Sequence, residues 1–206
     1  MKPSRHLERF SMLSIVVLLA ASIVGCDIFD RYSDDDNGPC GGYPSQSQSP
    51  YVLPYSVGST FLVTQGNCGN FTHTPGSDYQ YAYDWRMPIG TTVTAVRGGR
   101  VFSLVESFFD GNGGGANFVT IEHDDGTYGR YIHMTRNGVL VELNETVIQG
   151  QPIALSGNTG FSTEPHLHFQ IDSCLTTSCS LPTVFRNTES HPGGLVAGRS
   201  YRADPL

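Results

Sequence analysis

Two histidines define the chemistry to look for. In Pro165-His166-Leu167-His168-Phe169 the imidazoles stand two residues apart. On an extended strand successive side chains alternate faces, so His166 and His168 share one face while Leu167 and Phe169 take the other. Two imidazoles side by side on a rigid strand can hold a metal, or one can hold it while the other moves protons. Another histidine lies in Arg130-Tyr131-Ile132-His133-Met134, and Tyr81-Ala82-Tyr83-Asp84-Trp85 sets a carboxylate among aromatics. A charge in an aromatic strand is costly unless paired or metal-bound, which separates Asp84 from surface acids. His73 precedes it by eleven residues in a Thr/Pro/Gly/Ser loop. His123, near a strand end, reads as a structural hydrogen-bonding residue, and His191, in a Pro/Gly loop, as a surface one. Ser162 lies near His166, but no G-x-S-x-G elbow surrounds it, so a serine nucleophile is not expected.

The elements that must position these residues are short. The 206 residues include 24 Gly and 12 Pro, which interrupt any long helical pattern. Apolar runs at 91–96, 100–105, 118–122, 128–134 and 166–171 read as strands. Gly98-Gly99, Asp124-Asp125-Gly126, Asn137-Gly138 and Gly157-Asn158-Thr159-Gly160 supply the turns between them. The expected architecture is all-β, an antiparallel sandwich or partly open barrel with no helix beyond a turn or two. The only lysine is Lys2, so a Walker lysine and Schiff-base chemistry are excluded from the body of the chain. The loop 108–116 contains Gly111, Gly113 and Ala116 in the order G-x-G-x-x-A, but a strand follows it rather than a helix, so no nucleotide site is expected.

Before the strands come two segments of different character. Lys2, Arg5 and Arg9 precede an apolar run at 12–24 that is too short to span a bilayer, which takes roughly 20 helical residues. Residues 1–25 therefore read as an export signal. Its end, Ile23-Val24-Gly25-Cys26, resembles the lipobox of bacterial lipoproteins and implies lipidation of Cys26, a membrane anchor, and a place in the cell envelope facing periplasm or exterior. Residues 26–50, rich in Asp, Gly, Ser, Gln and Pro, read as a flexible tether with a reach of roughly 27 Å, and 51–206 as the folded domain. Lys2, Arg5 and Arg9 against Glu8 give the first 25 residues +2, which leaves −9 for the rest of a chain at −7. That balance argues against nucleic acid as a partner. Four cysteines remain after Cys26, an even count that suggests two disulfides with three connectivities in an exported chain. Cys174–Cys179 with Cys40–Cys68 is the favoured pairing, contributing ~2 and ~3.5 kcal/mol by loop closure. A cysteine zinc cluster is the rival reading, although no C-x-x-C spacing occurs.

These residues together resemble the lysostaphin-type (LytM-like) zinc endopeptidases. His73, Tyr81-Ala82-Tyr83-Asp84-Trp85 and Pro88-Ile89-Gly90-Thr91 match the first part of that family. Val119-Thr120-Ile121-Glu122-His123, Tyr131-Ile132-His133-Met134 and Gly150-Gln151-Pro152-Ile153-Ala154 match the middle. Ser156-Gly157-Asn158-Thr159-Gly160 and Pro165 to Phe169 match the end. The likeness runs over about residues 70 to 172. It implies the family's duplicated hybrid-motif fold, one zinc held by His73, Asp84 and His168, and two catalytic histidines, His133 and His166. A fourth position is left for water, whose pKa zinc lowers to about 7. The implied activity is hydrolysis of peptide stems or cross-links of peptidoglycan; the alternative is a non-catalytic module of the same fold that regulates cell-wall amidases. Three features depart from the family pattern: Glu164 where Gly is usual, Gln170 where an acid is common, and the eleven-residue spacing from His73 to Asp84.

Overall fold

The computed structural model describes residues 40–111 and 113–206, so the export signal 1–25, Cys26 and residues 27–39 of the tether lie outside the described residues. The strands are β1 Thr60–Gln65, β2 Tyr83–Arg86, β3 Thr92–Thr94, β4 Gly99–Val105, β5 Phe118–Glu122, β6 Tyr128–Ile132, β7 Met134–Val139, β8 Thr146–Val147, β9 Pro152–Ser156, β10 His166–Asp172 and β11 Ser200–Arg202. Helix among the described residues amounts to a single 3₁₀ turn, Gln46–Gln48. Eight strands form one sheet in the order β11-β1-β2-β10-β6-β5-β4-β8, and three form a second, β3-β9-β7. Neighbouring strands pair antiparallel. The large sheet keeps two edges, β11 and β8, and is not a closed barrel.

β10 lies between β2 and β6, and its register decides which residues meet. His168 stands opposite Asp84 on one side and Ile132 on the other, while Phe169 stands opposite Tyr83 and Tyr131. Leu167 and Phe169 thus join Tyr83, Trp85 and Tyr131 on a face with no exposed surface. Burying each such side chain stabilises the fold by roughly 1.5–3 kcal/mol. The Phe169 ring packs 4.9 Å from that of Tyr131 and 6.2 Å from that of Phe185. The small sheet adds Val93, Met134, Ile153 and Ala154 to the same core. The opposite face of β2 and β10 carries Asp84, His166 and His168.

Four expectations change. The run 128–134 is not one strand: His133, at φ 69°, breaks it into β6 and β7. Asn137-Gly138 is not a turn but part of β7, where the register against β9 shifts and Asn137 takes φ 53°. A left-handed residue inserted in a strand makes a bulge, which Asn tolerates. Residues 40–50 are not a free tether. The amide of Gln46 donates to the carbonyls of Phe185, Thr188 and Glu189, and the Ser49 hydroxyl donates to that of Val184. Polar side chains that cannot join a core still dock by capturing backbone carbonyls. His191 is buried rather than on the surface, its Nε2 accepting from the Phe185 amide at 2.9 Å. Disulfides join Cys40 to Cys68 and Cys174 to Cys179, with Cα separations of 5.9 and 5.6 Å.

Candidate metal centre

Three side chains from three parts of the chain meet on the polar face of β10. Asp84 arrives on β2, His168 on β10, and His73 on the loop between β1 and β2, all buried. That loop is pinned beside the site: Cys68 is bonded to Cys40, its amide donates to the Gln80 carbonyl at 2.7 Å, and the Thr72 amide donates to Gln65 Oε1. Asp84 Oδ1 lies 2.9 Å from His168 Nδ1 and 3.5 Å from His73 Nε2, and those two nitrogens are 3.4 Å apart. Ligand atoms about 2.0–2.2 Å from a tetrahedral zinc stand roughly 3.3–3.6 Å from one another, so two edges of this triangle match and the third is somewhat short.

The partners behind the triad fit a cation. His73 Nδ1 sits 3.2 Å from the Gly66 carbonyl, which only accepts; Nδ1 therefore carries the hydrogen and Nε2 the lone pair. Gln65 Nε2 donates to Asp84 Oδ2 at 2.9 Å and leaves Oδ1 facing the histidines. Burial pushes the Asp84 carboxyl up, but a proton or positive charge on the His168 and His73 nitrogens that face it outweighs burial and holds the group well below the usual carboxylate range. Convergent lone pairs on two imidazoles, next to a buried carboxylate, repel one another unless a proton or metal ion stands between them. These three are the His/Asp group of the described residues whose ligand atoms can hold one metal ion.

His133 and His166 stand beside the triad, their rings 4.5 Å apart. Each is tied by Nδ1 to a backbone carbonyl, His133 to Thr159 at 2.6 Å and His166 to Glu164 at 2.8 Å. Each ring therefore presents Nε2 as its open nitrogen, that of His166 3.9 Å from Asp84 Oδ1. Burial, reinforced by the neighbouring His166, lowers the pKa of His133 to about 4. The left-handed backbone of His133 is maintained by buried Asn117 and Thr159, both bonded to the Met134 carbonyl. Of the residues singled out in the sequence, His73, Asp84, His133, His166 and His168 all line or underlie one cleft, whereas His123 lies elsewhere with Nδ1 on the Gly98 carbonyl. Gln65, Asn117 and Thr159 were not foreseen; only Thr159 had a local signal, in Gly157-Asn158-Thr159-Gly160.

The cleft has a volume of about 580 Å³ and is open to solvent along walls that include Phe71, Tyr79, Phe118 and Phe161. Phe71 and Phe161 are 70% and 78% exposed. At its lip Glu164 pairs with Arg86 at 3.1 Å. The loop 108–116 is clamped at its base, where Asn117 bonds both backbone groups of Phe108 and Asp110 accepts from Thr135 and from the Asn158 amide.

The antiparallel sheet thus brings two histidines and an aspartate together where they can hold one metal ion, with two more histidines beside them in an open cleft. Residues 78–178 match the profile of peptidase family M23. It is 41% identical over 120 residues to lysostaphin of Staphylococcus simulans, a match covering 56% of this chain and 23% of that protein. It is 39% identical over 88 residues to the peptidoglycan DD-endopeptidase ShyA of Vibrio cholerae, covering 43% and 24%. The chain thus spans about a quarter of the length of these curated relatives. Among solved structures, the M23 metalloprotease pseudoalterin from the deep sea shares the fold with a TM-score of 0.50, at 18% identity over 76% of this chain and 96% of that one.

Proposed function

We propose that this protein is a zinc-dependent endopeptidase that hydrolyses peptide stems or cross-links of peptidoglycan, and that it works from a lipid anchor on Cys26 in the cell envelope. One observation carries the reading: Asp84, His168, His133 and His166 line one solvent-open cleft, and the buried His73 brings a third ligand-type atom up to Asp84 and His168 from below, each of the five held by a hydrogen bond from behind. His73, Asp84 and His168 would hold one zinc ion, which supplies Lewis acidity to water and to the scissile carbonyl. Relatives named as a peptidoglycan DD-endopeptidase and a glycyl-glycine endopeptidase support the substrate class.

Within that reading the two free histidines share one proton. With Nδ1–H fixed on Glu164, His166 has a lone pair on Nε2 beside the site and takes the proton of the attacking water. His133, whose burial and neighbour hold its proton affinity down, stays neutral, and two imidazoles with centroids 4.5 Å apart resist carrying two charges. The proton on His166 passes to the leaving amine. His133 orients the nucleophile through its own Nε2. The exposed Phe71 and Phe161 flank the peptide.

Purified peptidoglycan incubated with the full chain should release fragments bearing new amino groups. A zinc chelator should abolish release, and one equivalent of zinc should restore it. A protein that binds zinc yet releases nothing from several wall types would instead be a binding module.

A further inference from the structure

His168 is held from behind by a polar chain that continues along β10. His168 Nε2 lies 3.0 Å from Gln170 Oε1, Gln170 Nε2 donates to Asp172 Oδ1 at 2.6 Å, and Arg130 donates to Asp172 Oδ2 at 3.3 Å. Gln170 and Asp172 are each 1% exposed. The series His168, Gln170, Asp172 falls on one face because side chains on a strand alternate, and the register sets Arg130 opposite Gln170. A side-chain amide can point either its oxygen or its NH₂ at a neighbour, and the two ends have nearly the same shape. The partner at the far end therefore decides. Asp172 Oδ1, at 2.6 Å, and the Asp78 carbonyl, at 3.3 Å, are both acceptors, so the NH₂ of Gln170 turns toward them and the oxygen toward His168. That oxygen only accepts and holds a ring hydrogen of His168 on Nε2, against Asp84 Oδ1, an acceptor 2.9 Å from Nδ1 that draws the hydrogen the other way. With the hydrogen on Nε2, Nδ1 is a lone pair, aimed where His73 Nε2 and Asp84 Oδ1 also point. The opposite orientation would set an NH₂ against Nε2 and favour a hydrogen on Nδ1, directed into the triad against any cation.

We propose that Gln170 and Asp172 are positioning residues that set the tautomer of His168, keeping Nδ1 ready for a metal, with Arg130 holding Asp172 in place. This assignment rests on the zinc reading above. It explains how a chain with an uncharged Gln behind its ligand histidine still presents that ligand correctly: the carboxylate acts one residue pair further along the strand, through the amide. Outer partners of this kind typically tune metal affinity by 10- to 100-fold.

Two measurements on the full chain test it: zinc affinity by competition with a chromogenic chelator, and ¹⁵N shifts of the His168 ring in metal-free protein at mildly alkaline pH. Gln170→Met, similar in length but unable to accept, should weaken zinc binding about 10- to 100-fold and remove the preference for hydrogen on Nε2. Asp172→Ala, which leaves the amide held only by the longer bond to the Asp78 carbonyl at 3.3 Å, should shift both readouts in the same direction by less, and it serves if Gln170→Met does not fold. The exchanged pair Gln170→Glu with Asp172→Asn keeps the total charge and gives His168 an acceptor that is itself held by a donor. It should bind zinc within a few-fold of wild type. Wild-type affinity and tautomer in Gln170→Met would overturn the proposal. So would an exchanged pair as weak as Gln170→Met, which would assign the loss to packing. Because the tautomer is read without metal, a wild type that fails to bind zinc would sink the metallopeptidase reading while the relay is still tested separately.

Discussion

His166 and His168 share one face of β10, yet their partners assign them different tasks. His168 points Nδ1 at Asp84 and His73, whereas His166 ties Nδ1 to the Glu164 carbonyl and keeps Nε2 beside the site. Substituting the two separately should divide metal binding from proton transfer. His168→Ala removes one of three ligands, so zinc content and activity should fall together by orders of magnitude. His166→Ala should keep zinc near one per chain and lose roughly 10²- to 10⁴-fold in rate, the usual contribution of a positioned acid–base group. Zinc stoichiometry and fragment release, measured side by side, distinguish the two. If His166→Ala loses its zinc as well, the division of labour is wrong.

The elements matter because no ligand is close to the others in the chain except through pairing. β10 sits between β2 and β6, and a slip of one residue would turn His166 and His168 into the core and Leu167 and Phe169 into the cleft. The turn after β9 plays the corresponding part for the flanking pair. Its Thr159 carbonyl orients His133, and Gly157 forms a bridge to His166. A Cβ on Gly157 would collide with the backbone of Thr135 and with Asp110. Gly157→Ala should therefore displace the turn and both histidines while leaving the three ligands in place. The expected result is activity lower on the order of 10²-fold with zinc stoichiometry unchanged. Full activity in this variant would show that the turn does not orient the pair.

Two properties belong to the whole molecule. Burial lowers the pKa of both His123 and His191, far from the metal centre. Their folded forms take up protons less readily than the unfolded chain, whose histidines titrate near about 6.5. Their contribution to stability is present above that value and is lost as pH falls through it toward the folded pKa. The slope is at most roughly 1.4 kcal/mol per pH unit for each group. Urea unfolding with chelator present should show stability dropping from neutral pH toward pH ~5, with a shallower drop in His191→Gln; an equal slope in that variant would exclude His191 as a source. The second property is attachment. Cells expressing the full chain should incorporate a palmitate analogue, and Cys26→Ser should abolish the label and release the protein from membranes. Labelling that survives the substitution would rule out the anchor.

Local chemistry made much of the site legible. His166-Leu167-His168 announces a shared face because strand geometry alternates, and Asp84 among Tyr83 and Trp85 announces a partner because an ionised group in an aromatic strand needs one. Glycine and proline density excluded long helices, and the apolar runs marked most of the strands that carry the site. What local chemistry could not contain is pairing. That His168 lies opposite Asp84, that the loop bearing His73 folds over them, and that His133 turns left-handed depend on contacts 26 to 95 residues apart. The docking of 40–50 and the burial of His191 were missed for the same reason: polar residues in Pro/Gly surroundings look solvated until backbone carbonyls from a distant segment come within reach. Gln65 and Gln170 carry no signal by type, since an amide takes its direction from whatever lies at its two ends: strand alternation sets Asp172 beside Gln170, but only the tertiary structure brings Asp84 to Gln65 and Arg130 to Asp172.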